Sequence, residues 1–264
     1  MIIVKIGGGK EVNLDYVLED FKDLTDPKVL VHGASETMNE IAEKLGEKPK
    51  IVTSVSGFES RLTDEKAMDI MMMAYSGLVN KRIVEKLQAL GVQAVGLSGL
   101  DGRIWEGRRK DTIKIMEEGK KKVIRGDLTG KIEKVNLDLL HLLLAGGYVP
   151  VITAPGISYE SEAINLDNDR ALAVMAGELK AEKIVSLFAA PGLLKDFSDQ
   201  TSVIKEINKE NLADYYEFAQ GRMKKKLMGA GEALALGVKE VYLSDGRIEQ
   251  PIAKALKGEG TVIK

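Results

Sequence analysis

The chain has 264 residues, of which 44% are hydrophobic, and this size allows one large α/β domain or two closely packed lobes and excludes a disordered chain. A net charge of −2 argues against a general nucleic-acid binder, and the absence of cysteine excludes disulfides and thiolate metal sites. Because no apolar run reaches membrane-spanning length and the first residues lack the order of a signal peptide, we expect a cytoplasmic protein with no membrane partner.

The first hundred residues alternate between short apolar runs, typical of buried strands, and stretches with helical spacing. Ile2, Ile3, Val4 and Ile6 predict a strand that a run of three glycines ends. The elements predicted after it are a helix carrying Val17, Leu18, Phe21 and Leu24, a strand at KVLVHGAS, a helix at ETMNEIAEKLG closed by Gly46, a long methionine-rich helix from near Thr63 and a strand at QAVGLSG.

The pattern changes between Gly102 and about Val135, where glycines separate short β-like runs, so we predict β-hairpins inserted on the α/β frame. The elements predicted beyond them are helices at LDLLHLLLAGG, from about Asn168, through NLADYYEFAQ and at RMKKKLMGAGEALALG, strands at YVPVITAPG, KIVSLF and EVYLS, and a last helix and strand. This alternation predicts a three-layer α/β sandwich with a mainly parallel central sheet flanked by helices. Ligands of such sheets bind at the carboxyl ends of the strands.

The first candidate site is the glycine turn that follows the first strand, in the sequence VKIGGGK. Glycines let the backbone approach a ligand closely, and successive N–H groups in such a turn form an anion-binding nest. Lys5 adds a positive charge beside it. A tight strand-to-helix turn without a ligand is the structural alternative.

A second glycine turn, His32-Gly33-Ala34-Ser35, leads into a helix N-terminus, whose free N–H groups suit a phosphate or a carboxylate. The alternative is that Ser35 or Thr37 merely caps the helix, and capping and binding are compatible. His32 itself is interpreted as a packed strand-end residue rather than as an acid or base.

Two further segments carry charges at predicted helix starts. In NLDNDRA, Asp167 or Asn168 would cap a helix, and Asp169 would lie in its first turn, where the helix dipole favours a carboxylate. In GRMKKK, lysines 224–226 oppose the dipole of the helix they open, which is unfavourable unless an anion lies nearby. A structural cap and a solvated charge run are the respective alternatives.

Several common site signatures are missing from the sequence. It contains no P-loop, no GxGxxG after the first strand, no GxSxG nucleophile elbow and no metal-spaced histidine pair. Since His32 and His141 are the only histidines, we expect no metal site built from protein side chains.

Five motifs, VKIGGG, VHGAS, SRLT, NLDNDRA and GRMKKK, occur in the order and at the spacing of the amino acid kinase family, across nearly the whole chain. The chain resembles the carboxylate-phosphorylating branch of that family, the acetylglutamate kinases. The segment GLDGRIWEGRRKDTIKIMEEGKKKVIRGDLTGKI and the ending PIAKALKGEGTVI are similar to those of the LysW-aminoadipate/LysW-glutamate kinases. Those enzymes phosphorylate an amino acid held on a small amino-group carrier protein.

The resemblance implies a kinase that makes an acyl phosphate on carrier-bound L-2-aminoadipate and L-glutamate, in lysine and arginine biosynthesis, with ATP and Mg²⁺ as cofactors. Residues 1–160, with the hairpins near 102–135, would form a substrate-binding lobe, and residues 161–264 a nucleotide-binding lobe, within one continuous α/β domain. The alternatives are an N-acetylglutamate kinase acting on the free substrate and a non-catalytic amino-acid sensor of the same fold.

The resemblance also implies roles for individual residues. The catalytic residues would be Lys5 and Lys226, which balance charge on the transferring phosphoryl group, and Asp169, which holds both lysines. The nucleotide phosphates would contact the backbone N–H groups of Gly8 and Gly33. The substrate would contact Ala34, Ser35, Arg61 and Asn165. A carboxylate is already a nucleophile at neutral pH, so this reaction needs neutralised charge and alignment rather than a catalytic base.

The sequence departs from the family pattern in two places. HGAS stands where HGGG is usual, and FAAPG, from Phe188 to Gly192, stands where a serine or threonine and an aspartate are common in the nucleotide half.

The hairpin region is locally basic, although the chain is slightly acidic overall. Its basic residues are Arg108, Arg109, Lys110, Lys120, Lys121, Lys122 and Arg125. A solvated charge run is the structural alternative. The resemblance implies an acidic carrier protein, LysW, so we predict that this face receives it. The resemblance further implies a homodimer, and the net charge predicts no nucleic-acid partner.

Overall fold

A computed structural model of the chain describes residues 1–55, 59–110, 112–117 and 120–264. Residues 111 and 118–119 of the predicted hairpin region lie outside this description. The strands are β1 (Ile2–Ile6), β2 (Lys28–His32), β3 (Ile51–Ser54), β4 (Glu59–Arg61), β5 (Ala94–Ser98), β6 (Trp105–Arg109), β7 (Thr112–Glu117), β8 (Lys120–Arg125), β9 (Gly130–Val135), β10 (Val149–Thr153), β11 (Gly156–Ser158), β12 (Ala163–Ile164), β13 (Lys183–Phe188), β14 (Glu206–Ile207), β15 (Glu240–Asp245) and β16 (Thr261–Ile263). The α-helices are α1 (Leu14–Lys22), α2 (Ser35–Lys44), α3 (Glu65–Met71), α4 (Asn80–Ala89), α5 (Leu137–Ala145), α6 (Asn168–Glu178), α7 (Arg222–Ala235) and α8 (Pro251–Leu256).

The central sheet has eight strands in the order β14-β16-β15-β13-β1-β2-β10-β5. Every neighbouring pair is parallel except β15 with β16. Because β1 lies between β13 and β2, strands from residues 161–264 lie on one side of it and strands from residues 1–160 on the other. The carboxyl ends of these three strands meet at the middle of one sheet edge, where ligands of parallel sheets bind.

The side chains of β1 alternate between the two faces of the sheet. Ile2, Val4 and Ile6 share a core with α1, α4 and α8, whereas Ile3 shares a core with α5, α6 and α7. Helices therefore cover both faces, which confirms the predicted three-layer architecture. Lys5 lies two residues after Ile3 and so points to the same face of the sheet. Its side chain enters the layer of α6 and α7, where it is buried.

The β-hairpins predicted between residues 102 and 135 are confirmed. β6 pairs antiparallel with β9, and the hairpin of β7 and β8 forms the connection between them. Trp105 of β6 is fully buried, and its indole N–H donates to Met175 Sδ on α6 at 3.4 Å. This contact holds the β6–β9 pair against α6, the helix that carries Asp169.

Two helical segments differ in detail from the predicted ones. The long helix begins at Glu65, and a π-helical stretch at Met72–Val79 joins α3 to α4. Such stretches re-aim side chains relative to an α-helix, and this one holds Tyr75 in the interior. The segment NLADYYEFAQ forms a 3₁₀-helix, Lys209–Phe218. Among the described helices, none combines the length and the apolar character that a membrane crossing requires.

Candidate active site

One carboxylate joins two lysines at the middle of the sheet edge. Lys5 Nζ donates to Asp169 Oδ1, and Lys226 Nζ lies 3.6 Å from the same oxygen. Asp169 is in the first turn of α6, where the helix dipole favours a carboxylate, and α7 carries Lys226. The structure thus brings together the three residues that the sequence analysis assigned as catalytic.

A glycine sets the distance between α6 and α7 at this cluster. A Cβ on Gly229 would lie 2.9 Å from the carbonyl oxygen and 3.0 Å from the Cβ of Asp169, so a larger residue would push the helices apart. Gly229 follows Lys226 by about one helical turn, and the close approach holds the lysine within reach of Asp169. The sequence analysis did not single out Gly229, although a glycine inside a helical segment is a sign of close packing.

The cluster holds one negative and two positive charges in a nearly closed environment. Burial by itself would raise the pKa of Asp169, but Lys226 and Lys5 outweigh it and lower that pKa to about 2. Burial lowers the pKa of Lys226 to about 8, and Lys5 adds to this while Asp169 opposes it. Burial also acts on Lys5, but its bond to Asp169 raises the pKa of Lys5. At neutral pH the cluster therefore has surplus positive charge, which suits a phosphoryl group.

The three lysines at the start of α7 have different surroundings. Lys225 Nζ lies 3.7 Å from Asp167 Oδ2, and Asp167 is the residue that caps α6. Lys224 is exposed to solvent. Lys226 Nζ lies 5.2 Å from the centre of the Phe188 ring, in the segment where the sequence departs from the family pattern. The aromatic face at Phe188 helps to stabilise the buried ammonium group.

The two predicted glycine turns pack against each other through their backbones. A Cβ on Gly8 would lie 2.6 Å from Ser35 N and 2.8 Å from Ala34 N. Any residue other than glycine would therefore clash with this backbone. Gly33 donates its N–H to Ile6 O at 2.9 Å, so this N–H is already engaged. Within the described residues the N–H of Gly8 donates to no acceptor, which leaves it available to an anion.

Ser35 is the first residue of α2 and does not cap it. Ala34 occupies the N-cap position, and the helix has no side-chain cap, so the capping alternative for Ser35 and Thr37 is wrong. The Ser35 hydroxyl instead donates to Gly8 O, in the glycine turn after β1, at 3.3 Å. The side chain of Ser35 therefore ties the two glycine turns together.

His32, at the end of β2, is a packed strand-end residue, as predicted. Asn80 Nδ2 lies 3.1 Å from His32 Nε2, and His32 Nδ1 lies 3.2 Å from Gly33 O. The Asn80 amide donates to Nε2, so the neutral ring carries its proton on Nδ1. Burial lowers the pKa of His32 to about 4, so the ring is neutral at pH 7 and transfers no proton there.

Two of the predicted substrate residues, Arg61 and Asn165, are held by neutral side chains. Arg61 ends β4 and donates from Nη2 to Asn39 Oδ1 on α2. Asn165 Nδ2 donates to Thr63 Oγ1 at 2.8 Å, which brings Asn165 close to the chain that follows Arg61. Burial lowers the pKa of the Arg61 guanidinium. Among the residues that the structure describes, no carboxylate forms an ion pair with Arg61, and such a half-buried guanidinium suits bidentate binding of a carboxylate.

The predicted substrate end comprises Arg61, Thr63 and Asn165 with their neighbours. Asp127, which the sequence analysis did not single out, fixes this predicted substrate end from the hairpin region. Its buried carboxylate accepts from Thr63 N at 2.8 Å and from Thr129 N at 2.7 Å. Thr129 in turn bridges to Asn165. The Asp127 carboxylate therefore positions both neighbours of Asn165, which are Thr63 and Thr129. The pattern GDLTG, with an aspartate two residues before a threonine, is typical of such a turn.

Tyr75 also reaches the substrate end and was absent from the predicted site. It lies in the π-helical stretch, and its phenol group is close to the Ala34 N–H and to Arg61. Burial raises the pKa of Tyr75 although these neighbours oppose it, so the hydroxyl stays neutral near pH 7. Helical spacing does not reveal a π-helix, so the pattern gave no sign of this residue.

The residues that the structure describes include no group of three or more histidine, aspartate or glutamate side chains able to hold a metal ion.

The sequence matches the model of the amino acid kinase family over residues 1–245. A relative from Deinococcus radiodurans, named LysW-aminoadipate kinase, is 52% identical and covers 100% of this chain and 91% of its own. A relative of the same name from Thermus thermophilus is 51% identical and covers 100% of both chains. A relative from Saccharolobus islandicus, named LysW-aminoadipate/LysW-glutamate kinase, is 33% identical and covers 100% of this chain and 99% of its own.

Solved structures share the fold. N-acetylglutamate synthase from Neisseria gonorrhoeae superposes with a TM-score of 0.79 at 24% identity, over 99% of this chain and 58% of that one. Carbamate kinase from Giardia lamblia bound to AMP-PNP superposes with a TM-score of 0.70 at 11% identity, over 99% of this chain and 97% of that one.

The free energy of unfolding should fall as the pH drops from 6.5 to 4, because His32 is buried in its neutral form. The pKa of His32 is about 4 in the folded chain and near its usual 6.5 in the unfolded chain, so the unfolded state binds one more proton between these values. The free energy of unfolding should therefore decrease by up to about 3 kcal/mol from pH 6.5 to pH 4 because of this residue.

Chemical denaturation at several pH values measures this dependence. His32→Gln should flatten the slope between pH 6.5 and pH 4.5, whereas His141→Gln, which removes the exposed histidine of α5, should keep the unaltered slope. Equal slopes in the unaltered chain and in His32→Gln would contradict the prediction.

Proposed function

The chain belongs to the amino acid kinase family, and we propose that it uses ATP to phosphorylate the side-chain carboxylate of L-2-aminoadipate carried on LysW. The observation that carries this proposal is the pairing of buried Lys5 and largely buried Lys226 with one carboxylate, Asp169, beside two facing glycine turns. The two relatives above 50% identity are named for aminoadipate, and the 33% identical one for glutamate as well. L-glutamate on LysW is therefore a second acceptor in the proposal, which places the enzyme in lysine and arginine biosynthesis.

The chemistry requires charge neutralisation more than proton transfer. An oxygen of the acceptor carboxylate attacks the γ-phosphorus of ATP, and the bond from that phosphorus to the bridging oxygen of ADP breaks. Lys5 and Lys226 would stabilise the negative charge on the phosphoryl oxygens, and the Gly8 N–H would bind a phosphate oxygen. Asp169 would hold both ammonium groups in place. Since His32 is neutral and buried, the site offers no histidine base, and the reaction needs none.

Mg²⁺ fits this arrangement as a metal bound through the nucleotide. Mg²⁺ in kinase sites takes most of its ligands from phosphates and water and few from the protein. Asp169 is committed to two lysines, and Asp167 to the cap of α6 and to Lys225. When bound, the ion would neutralise phosphate charge alongside the lysines.

The acceptor would lie on the side of β1 formed by residues 1–160. We propose that the turn of Ala34 and Ser35 contacts the carboxylate of the acceptor that is phosphorylated. Arg61 and Asn165 would bind the part of the acceptor that is not phosphorylated. The tie between Asn165 and Thr63 and the packing of Ser35 on Gly8 support this assignment. Residues 161–264, with α6 and α7, would form the nucleotide-binding lobe.

The carrier would dock on the basic face of the hairpins, and the names of the relatives support LysW as that carrier. The exposed cations of this face are Arg108, Lys110, Lys120, Lys121, Lys122 and Arg125. Arg109 differs from them, because it pairs with Glu162 at 2.8 Å and donates to Asp127 O at 3.1 Å. Arg109 therefore supports the substrate end, and the other cations of this face would supply the positive charge that attracts an acidic protein.

Trapping of the acyl phosphate with hydroxylamine tests the proposed function. LysW-bound aminoadipate, LysW-bound glutamate and N-acetylglutamate are offered separately with ATP, and hydroxamate is measured. We expect hydroxamate with LysW-bound aminoadipate. Product from N-acetylglutamate alone would replace the proposal with an N-acetylglutamate kinase, and no product from any acceptor would favour a non-catalytic sensor.

Lys226→Ala should lower kcat about 100- to 1,000-fold with little change in KM, because the ammonium group acts mainly on the transition state. Lys224→Ala, the matched control on the same helical turn, should have a mild effect since its side chain is exposed. Steady-state kinetics compare the two variants. A larger loss in Lys224→Ala would mean that the wrong lysine was assigned.

Arg108→Glu combined with Lys110→Glu should lower kcat/KM for LysW-bound aminoadipate, most strongly at low salt, because opposite fields raise the encounter rate. Arg109 is left intact to preserve the fold. Lys205→Glu combined with Lys257→Glu, two exposed reversals outside the hairpin region, is the control for net charge. Equal losses at low and high salt, or an equal loss in the control, would contradict the docking face.

We also propose that the enzyme works in the cytoplasm as a homodimer that pairs through the long helix. Met68 and Met71 are buried in the core, whereas Met73 and Leu78 are 52% and 46% exposed on the same helix. Light scattering should give twice the mass of one chain, and Met73→Glu should shift the mass toward a monomer. A monomer at working concentration would contradict this prediction.

A further inference from the structure

Arg222 connects the two sides of the site. It is the first residue of α7, and its Nη1 donates to Ser35 Oγ on the first residue of α2, 3.2 Å away. Ser35 Oγ also reaches Gly8 O at 3.3 Å, so the guanidinium lies beside the glycine turn that follows β1. The helix that carries Lys226 thereby contacts the segment predicted to bind the acceptor.

The guanidinium of Arg222 is exposed to solvent, and its protein surroundings are positively charged. The first turns of α2 and α7 both carry partial positive charge, and Arg61 lies close by. Arg170 and Arg247 each hold a carboxylate oxygen, at 2.6 and 2.7 Å. Among the ion pairs of the described residues, none includes Arg222, whose side-chain partner is a neutral hydroxyl.

Arg61 and Arg222 contact the same helix about one turn apart, since Arg61 Nη2 donates to Asn39 Oδ1 and Arg222 Nη1 donates to Ser35 Oγ, both on α2. Burial raises the pKa of Tyr75, and Arg61 and Arg222 both lie near enough to oppose that rise. Arg222 in turn adds to the lowering of the Arg61 pKa that burial causes. Two guanidinium groups about one helical turn apart on α2 suit a ligand with two carboxylates, because each carboxylate can accept from one arginine fork.

On the basis of the proposed function, we propose that Arg222 binds the acceptor carboxylate that receives the phosphoryl group, while Arg61 binds the second carboxylate of the same acceptor. The attacking carboxylate and the γ-phosphoryl group are both anionic, so a guanidinium beside Ser35 and Gly8 would reduce their repulsion. In the step, a carboxylate oxygen bonds to the γ-phosphorus, ADP leaves with the bridging oxygen, and no proton is transferred. Arg222 would therefore select dicarboxylate acceptors.

Arg222→Gln tests this role, because it removes the charge and keeps a donor toward Ser35. KM for LysW-bound aminoadipate should rise on the order of 10- to 100-fold, the range of a charge-assisted hydrogen bond, while KM for ATP stays unchanged. Arg222→Lys should recover part of the loss. Lys224→Gln, an exposed lysine two residues away, is the matched control.

Binding of LysW-bound aminoadipate without ATP, measured by calorimetry, gives a second readout, and its Kd should rise in parallel with KM. Activity of the unaltered enzyme on this acceptor is measured first, and its absence would contradict the proposed function itself. With an active enzyme, the role of Arg222 is overturned by an unchanged acceptor KM, by an equal loss in Lys224→Gln, or by a rise confined to the KM for ATP.

Discussion

The carboxylate of Asp169 stabilises two buried ammonium groups at once, and the surrounding structure keeps it in position to do so. A buried lysine without a counter-charge loses its hydration and favours its neutral form. Lys5 and Lys226 remain cationic near pH 7 because they share one oxygen of Asp169, which the first turn of α6 also favours. One carboxylate cannot balance two lysines, so the cluster keeps a positive charge that an anionic substrate can neutralise.

Backbone contacts set the distances at this cluster, and they depend on glycine. Gly8 lets the turn after β1 contact the start of α2, and Gly229 lets α7 approach α6 at Asp169. At both positions a side chain would meet backbone atoms, which cannot move aside as a flexible side chain can. The cations at this cluster are therefore positioned by close-packed main chain, which is the rigid support that charge stabilisation in catalysis requires.

The substrate end has a different kind of support. Its residues come from β4, from the hairpin region and from the segment before α6, and no single element carries them. The buried carboxylate of Asp127 connects these parts through the N–H groups of Thr63 and Thr129. Trp105 holds the hairpins on α6. The two ends of the site are thus joined through α6, which carries Asp169 at its start.

The sequence by itself determined the fold class and the segments that gather at the carboxyl ends of the strands. The period-2 pattern of β1, the glycine turns and the charged helix starts are local features, and local features follow from backbone conformation and burial. These features drew attention to Lys5, Asp169 and the lysine run, and they predicted the packing of His32, whereas the family resemblance assigned Lys5, Asp169 and Lys226 as catalytic residues. Only the tertiary structure decided that Ser35 ties two turns instead of capping a helix, that Asp127 and Tyr75 belong to the substrate end, and that Arg222 reaches Ser35 across 187 positions of sequence. These assignments depend on which distant backbones approach each other, and that is set by packing of the whole sheet and its helices, which no local pattern records.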